Sequence, residues 1–273
     1  MKKNLGFLAV LAMCIMLFFS CDFFDSLTGE GEGNNTETEK NGDKGKEGNG
    51  NEYSSLISFD VGRKDTWGKV SYESLETGKR QKYTKLIIDE MNKYPNDFFT
   101  KIGLDIIIIG KNLKFEGTFR ASVPDNGKKI LFMGIRDDYT DDYLKHVFHH
   151  ELNHYVEYHI WGSHRHDWEP WRKLFDGEGG GGELAYQNGE NSNSMVYNPD
   201  LPGFLNYYST LGQEEDRSEM IAFFLTEKGN KSFVEKAEKD NIFRQKSILL
   251  FEFYKDKFKY NLFDEYLLLI KDK

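Results

Sequence analysis

The stretch TDDYLKHVFHHELNHYVEYHI, residues 140–160, decides how the rest of the chain is read. Thr140 followed by Asp141 and Asp142 suits a helix start, with a hydroxyl cap and acidic residues in the first turn. Leu144, Val147, Phe148, Leu152, Tyr155 and Val156 recur at helical spacing, so they form one apolar stripe that must pack on a core. His146, His150 and His154 run down the flank of that stripe, each one turn from the next. Two imidazoles so placed, His150 and His154, can hold one metal ion between them, and Glu151 lies beside the place of its bound water. All seven histidines of the chain fall between His146 and His166.

Outward from this helix the pattern is mixed. Residues 78–94 carry Tyr83, Leu86, Ile87 and Met91 at helical spacing and are closed by Pro95. The run LDIIII at 104–109 is short and β-branched, as a buried strand is. Residues 115–123 read as a second strand, stopped by a turn at Pro124-Asp125-Asn126-Gly127, and 129–135 as a third. Beyond the central helix, residues 176–200 form a Gly- and Asn-rich loop, and a structureless stretch of that length is usually functional or mobile. Its glycines are not followed by a Lys-Ser/Thr pair, so it is no phosphate loop. Capping boxes are expected at Thr210–Gln213 and Ser232–Glu235, and amphipathic stretches continue to Ile270. The expected fold is α+β, zincin-like, with a small sheet packed on the 140–160 helix and a mainly helical C-terminal half. About 220 residues, 52–273, suffice for one such domain.

The start of the chain has a different character. Lys2 and Lys3 precede an apolar run at 5–19 that ends in Ser20-Cys21, which reads as a secretory signal over residues 1–20. The cysteine after a small residue points to lipidation of Cys21 and anchoring to a bacterial membrane, although Phe18 and Phe19 make the box a relaxed one. Cys14 leaves with the signal, so no disulfide is available and any metal site must use imidazoles and carboxylates. Residues 21–51 are Gly-, Asn- and Glu-rich, with no aliphatic or aromatic residue between Leu27 and Tyr53, and read as a flexible tether. Loss of Lys2 and Lys3 takes the formal charge from −9 to −11, which argues against nucleic acid as a partner.

A catalytic metal needs a third protein ligand and an open position. The metzincin spacing would put Gly at 157 and His at 160, where the chain has Glu157 and Ile160. His159 falls on the core side of a continuing helix, and His164 and His166 lie past Gly162, where the helix is expected to end. The better source is EEDRSEMIAFFL, residues 214–225, whose second half is apolar all round and therefore buried. Glu215 and Glu219 share one face of it, and buried carboxylates require a partner. One cation and two imidazole N–H groups would satisfy both, which assigns Glu215 to the metal and Glu219 to the far ring nitrogen of a ligand histidine. The competing reading pairs both with Arg217 or a lysine, and Glu214 leaves the register open by one.

With these residues in place, the chain resembles the HExxH zinc peptidases of the gluzincin type related to anthrax lethal factor. It is more similar still to zinc-binding metallopeptidases found as bacterial lipoproteins, in which Glu-Asp-x-x-Glu recurs. The resemblance covers about residues 115–227 and includes Pro202-Gly203-Phe204-Leu205-Asn206-Tyr207-Tyr208. The 60 residues between His154 and Glu215 exceed the spacing of thermolysin-like enzymes. The resemblance implies one Zn²⁺ on His150, His154 and Glu215, with Tyr208 steadying the transition state and Tyr207 in reserve. Glu151 is the expected general base. The strand at 129–135 is expected to offer its edge to an extended peptide. The expected protein is a monomeric, lipid-anchored zinc metallopeptidase acting on a peptide or protein substrate. Two rivals are a non-enzymatic adhesin or binding module with a structural metal, and a zinc hydrolase of a non-peptide bond.

Overall fold

Apolar residues on consecutive positions bury both faces of a strand at once, and the sheet is built around two such runs. A computed structural model describes residues 53–174, 194–260 and 264, all within one compact unit. The proposed signal, Cys21, the tether and most of the Gly-rich loop lie outside the described residues. The central strands are β3 (Ile106–Phe115) and β6 (Ile130–Ile135), paired in parallel from Ile106↔Ile130 to Lys111↔Ile135. On one side β1 (Ile57–Ser58) runs parallel to β3; on the other β5 (Ser122–Asp125) runs antiparallel to β6. Two short strands, β2 (Val70–Glu73) and β4 (Thr118–Phe119), pair antiparallel with β3.

Alternation sorts the side chains. Ile107, Ile109, Leu131, Met133 and Ile135 join the main core, and Ile108, Ile130 and Phe132 join a smaller one with Val70, Tyr72 and Phe115. Helix α1 (Thr77–Met91) contributes Tyr83, Leu86, Ile87 and Met91 to the main core, and a short α2 (Phe98–Lys101) adds Phe98 and Phe99. Helix α3 (Asp141–Trp161) lays its whole expected stripe, Leu144 to Val156, into that same core, packed on β5 and β6. After a short α4 (Glu169–Lys173), the described C-terminal half is helical: α5 (Gln213–Leu225), α6 (Glu227–Lys239) and α7 (Asn241–Phe258). The fold is α+β. Among the described residues no helix is long and apolar enough to cross a membrane.

Four local expectations are corrected. The strand expected at 115–123 is broken, because Glu116 and Gly117 both take positive φ (52° and 82°) and turn β3 back into β4 as a two-residue hairpin. The turn expected at 124–127 is displaced: Pro124 and Asp125 still pair with Leu131 and Ile130, and the chain reverses over 126–129. The capping boxes do not form. Gly212 caps α5 without a side-chain bond, Thr210 Oγ1 instead donates to Tyr207 O, and Ser232 lies inside α6. Finally, β6 has no free edge, since β3 and β5 flank it; the edge belongs to β5. There the Ala121 carbonyl accepts from Gly134 N, so by alternation Ser122 and the nitrogen of Pro124 face away from β6.

The interior position of β6 leaves a mark at Gly134. A β-carbon there would lie 2.6 Å from the Arg120 carbonyl oxygen and 2.7 Å from Leu113 Cβ. Gly134→Ala is expected to destabilise the protein by about 1–3 kcal/mol through overpacking. Urea denaturation checks this, and an unchanged midpoint would contradict the strand order.

Candidate metal centre

Helix α3 is long enough to carry five of the histidines because both its ends are well made. Thr140 Oγ1 accepts from Tyr143 N at 3.1 Å, and Gly162 closes the helix in the left-handed region at φ 68°. His164 and His166 fall beyond that cap, with their rings against Tyr158 and Trp161. His159 is exposed and not on the core side, because the buried stripe ends before the last turn.

Facing α3 is α5, buried from Asp216 onward, which explains the lack of any polar stripe in its second half. Glu215 stands opposite the two histidines. Three atoms converge: His150 Nε2 lies 3.0 Å from Glu215 Oε2, His154 Nε2 lies 3.3 Å from the same oxygen, and the two Nε2 atoms are 3.1 Å apart. Ligands about 2.0–2.1 Å from a tetrahedral zinc sit roughly 3.3 Å from one another, so the spacing fits.

The far sides of the rings define what those atoms are. Glu219 Oε1 accepts from His150 Nδ1 at 2.8 Å and from His146 Nε2 at 2.9 Å, while its Oε2 accepts from Asn206 Nδ2 at 2.6 Å. An ionised carboxylate only accepts, so the His150 proton belongs on Nδ1 and Nε2 is left with a lone pair. His154 Nδ1 lies 3.3 Å from Ser218 Oγ. His150 Nε2 and the Glu215 oxygen thus turn lone pairs toward one point, with His154 Nε2 as the third corner, an arrangement that calls for a proton or a cation between them. A second grouping, His146, His150 and Glu219, is satisfied by its own N–H donors and makes no such demand.

The charges of the metal-free chain follow. Burial would raise Glu219 and lower His150. His146 and His150 outweigh it at Glu219, held down to about 2, and the bonds to Glu215 and Glu219 outweigh it at His150, held well above its ordinary value. Burial likewise opposes the shifts at Glu215 and His154, yet their mutual attraction lowers the carboxyl and raises the imidazole. At Glu151 burial prevails and raises the carboxyl, against the pull of His154 and His150.

Of the remaining expected residues, Tyr208 opens a 3-10 turn (Tyr208–Leu211) with its ring centroid 5.6 Å from that of His150. Tyr207 is half-buried beside it in sequence, and its carbonyl accepts from Thr210 Oγ1. Glu214 is off the triangle: its carboxylate folds back over Gly212, where a β-carbon would come within 2.7 Å of it. Arg217 does not pair with Glu215 or Glu219. It is buried against Glu157, with Nε 2.5 Å from Oε1 and Nη2 2.8 Å from Oε2, between the rings of Trp161, Trp168 and Trp171. Asn206, Ser218 and Asn153 carry much of the site's hydrogen bonding and were not marked out by sequence; for Ser218 alone there was a signal, its place among five successive polar residues at 215–219 ahead of an apolar run.

The carboxylate contributions to stability are present above about pH 4.5 and are lost as pH falls toward 2; those of the imidazoles are present below about pH 6.5 and are lost as pH rises through their raised values. A metal ion replaces the proton that the site loses on the alkaline side. Zinc is therefore expected to raise the melting temperature of the metal-free protein more at pH 7.5 than at pH 5.5, measured by scanning calorimetry, and a pH-independent rise would argue against binding at these nitrogens. Among known proteins, no family model matches the sequence, no curated protein matches it, and no solved structure matches the fold, so the likeness to gluzincin lipoproteins rests on the quoted residues alone.

Proposed function

We propose that the protein is a zinc metallopeptidase hydrolysing peptide bonds outside the cytoplasm, anchored through a lipid on Cys21. The observation that carries the reading is the convergence of His150 Nε2, His154 Nε2 and Glu215 Oε2, with Glu151 adjoining on the same helix. His150, His154 and Glu215 would hold the ion. Zinc so held supplies a Lewis acid and makes water a usable nucleophile near neutral pH.

The chain's own groups divide the rest. A carboxylate of Glu151 takes the proton of the attacking water and returns it to the leaving amine, a role for which a raised pKa is suited. The Tyr208 hydroxyl donates to the carbonyl oxygen as negative charge develops there. Glu219, held by Asn206, fixes the His150 ring through Nδ1. An extended peptide has a partner in β5, whose outward groups include the Ser122 N–H and the Ser122 and Pro124 carbonyls. That backbone edge favours a peptide over a non-peptide substrate.

In purified protein, Glu151→Gln is expected to retain zinc and lose about 10²–10⁴-fold in peptide turnover. Undiminished turnover would remove Glu151 as the base. Glu215→Ala is expected to lower zinc content more than Glu219→Ala or Glu214→Ala, measured by atomic absorption, and the reverse order would move the third ligand. Zinc binding without turnover across a peptide library would leave a binding module.

A further inference from the structure

The two ligand histidines are held from behind in unlike ways. His150 rests on a carboxylate, which can only accept, so its ring has one hydrogen-bonded orientation. His154 rests on the Ser218 hydroxyl, which can accept or donate. For His154 to present a lone pair at Nε2, Nδ1 must carry the proton and give it to Ser218 Oγ. What surrounds that hydroxyl therefore bears on the metal.

Ser218 Oγ accepts from Asn153 Nδ2 at 3.0 Å. The Asn153 amide cannot turn over, because both ends are committed. Its Nδ2 also donates to Glu157 Oε1 at 3.1 Å, and its Oδ1 accepts from Tyr254 OH at 2.5 Å. Glu157 is in turn held by Arg217. Every side chain in this chain of bonds is buried, and Tyr254 comes from α7, a hundred residues after the histidines. Asn153 fills one lone pair of Ser218 and leaves the other aimed at His154, while the hydroxyl hydrogen can turn to the carbonyl one turn back in α5, as helical serines do.

We propose that Ser218 is the positioning residue of His154 and that Asn153 and Tyr254 act through it to aim His154 Nε2 at the point shared with His150 and Glu215. This rests on the reading that His154 binds zinc. The face of α5 then serves both ligands: Glu215 supplies a donor atom, Ser218 backs His154 and Glu219 backs His150, at i, i+3 and i+4.

Zinc affinity of the full protein, measured by competition with a chromophoric chelator, tests it. Ser218→Ala is expected to weaken zinc about 10–100-fold, and Ser218→Thr, which restores the hydroxyl, to recover most of the loss. Tyr254→Phe is expected to weaken zinc several-fold alone and to add nothing in the Ser218→Ala background, since the two act in series. Zinc affinity within twofold of the unaltered protein in Ser218→Ala would overturn the proposal while leaving the metal site intact. Additive losses would overturn the route through Tyr254. If Ser218→Ala does not fold, Tyr254→Phe decides: weaker zinc supports the proposal and unchanged zinc overturns it. An unaltered protein that takes no zinc removes the functional reading and this inference together.

Discussion

The pairing of Glu157 with Arg217 sets how α5 lies on α3, and the candidate site depends on it. Both groups are buried, and a buried charge with no partner costs far more than a surface one. Cutting such a pair from one side typically costs about 3–5 kcal/mol, a large part of a domain's whole stability. Glu157 lies three residues beyond His154 and so on the same side of α3. A rotation or slide of α5 that displaced Glu215 from the histidines would also pull the guanidinium from its carboxylate and from the tryptophan rings around it. The ion pair does no chemistry in the proposed reaction. It holds in place the helix that does.

A second buried pair extends this logic to the segment that carries Tyr208 and Asn206. Lys246 of α7 bonds Asp216 at 2.5 Å and the Gly203 carbonyl at 2.7 Å; burial lowers it to about 8, with Asp216 opposing the fall. Lys236 of α6 bonds the carbonyls of Pro199 and Leu201, and Asp240 accepts from Gly203 N. The backbone from 199 to 203 is thus pinned by three side chains of the helical half before it reaches Asn206. The long sequence gap between His154 and Glu215 need not loosen the site, because its last part is fastened independently.

Legibility from sequence followed the range of the forces involved. The 140–160 helix was readable except for the side taken by His159, since its cap, its stripe and its histidine flank are all local patterns. Glu215 and Glu219 were readable as a pair because carboxylates ahead of a buried run demand partners. The partner of Arg217 was not: whether it meets Glu215 or Glu157 depends on how two helices far apart in the chain are rotated. Asn206, Asn153 and Ser218 are small neutral residues whose importance comes only from neighbours brought by folding. The strands failed in detail for the opposite reason. Glu116-Gly117 is a two-residue turn inside a stretch read as a single strand, and the interior place of β6 follows from pairings no local pattern encodes.

Pro124 bears on more than pairing. A strand at the margin of a sheet can recruit a strand of a neighbouring molecule and so begin aggregation. On β5 the outward nitrogen at position 124 has no hydrogen to give, and the strand is only four residues long. A second copy laid edge to edge would find a donor at Ser122 and then a gap, so the ladder would stop after about one residue pair. A short peptide that needs few bonds suffers little from that gap, whereas a growing stack of identical chains would meet it at every junction.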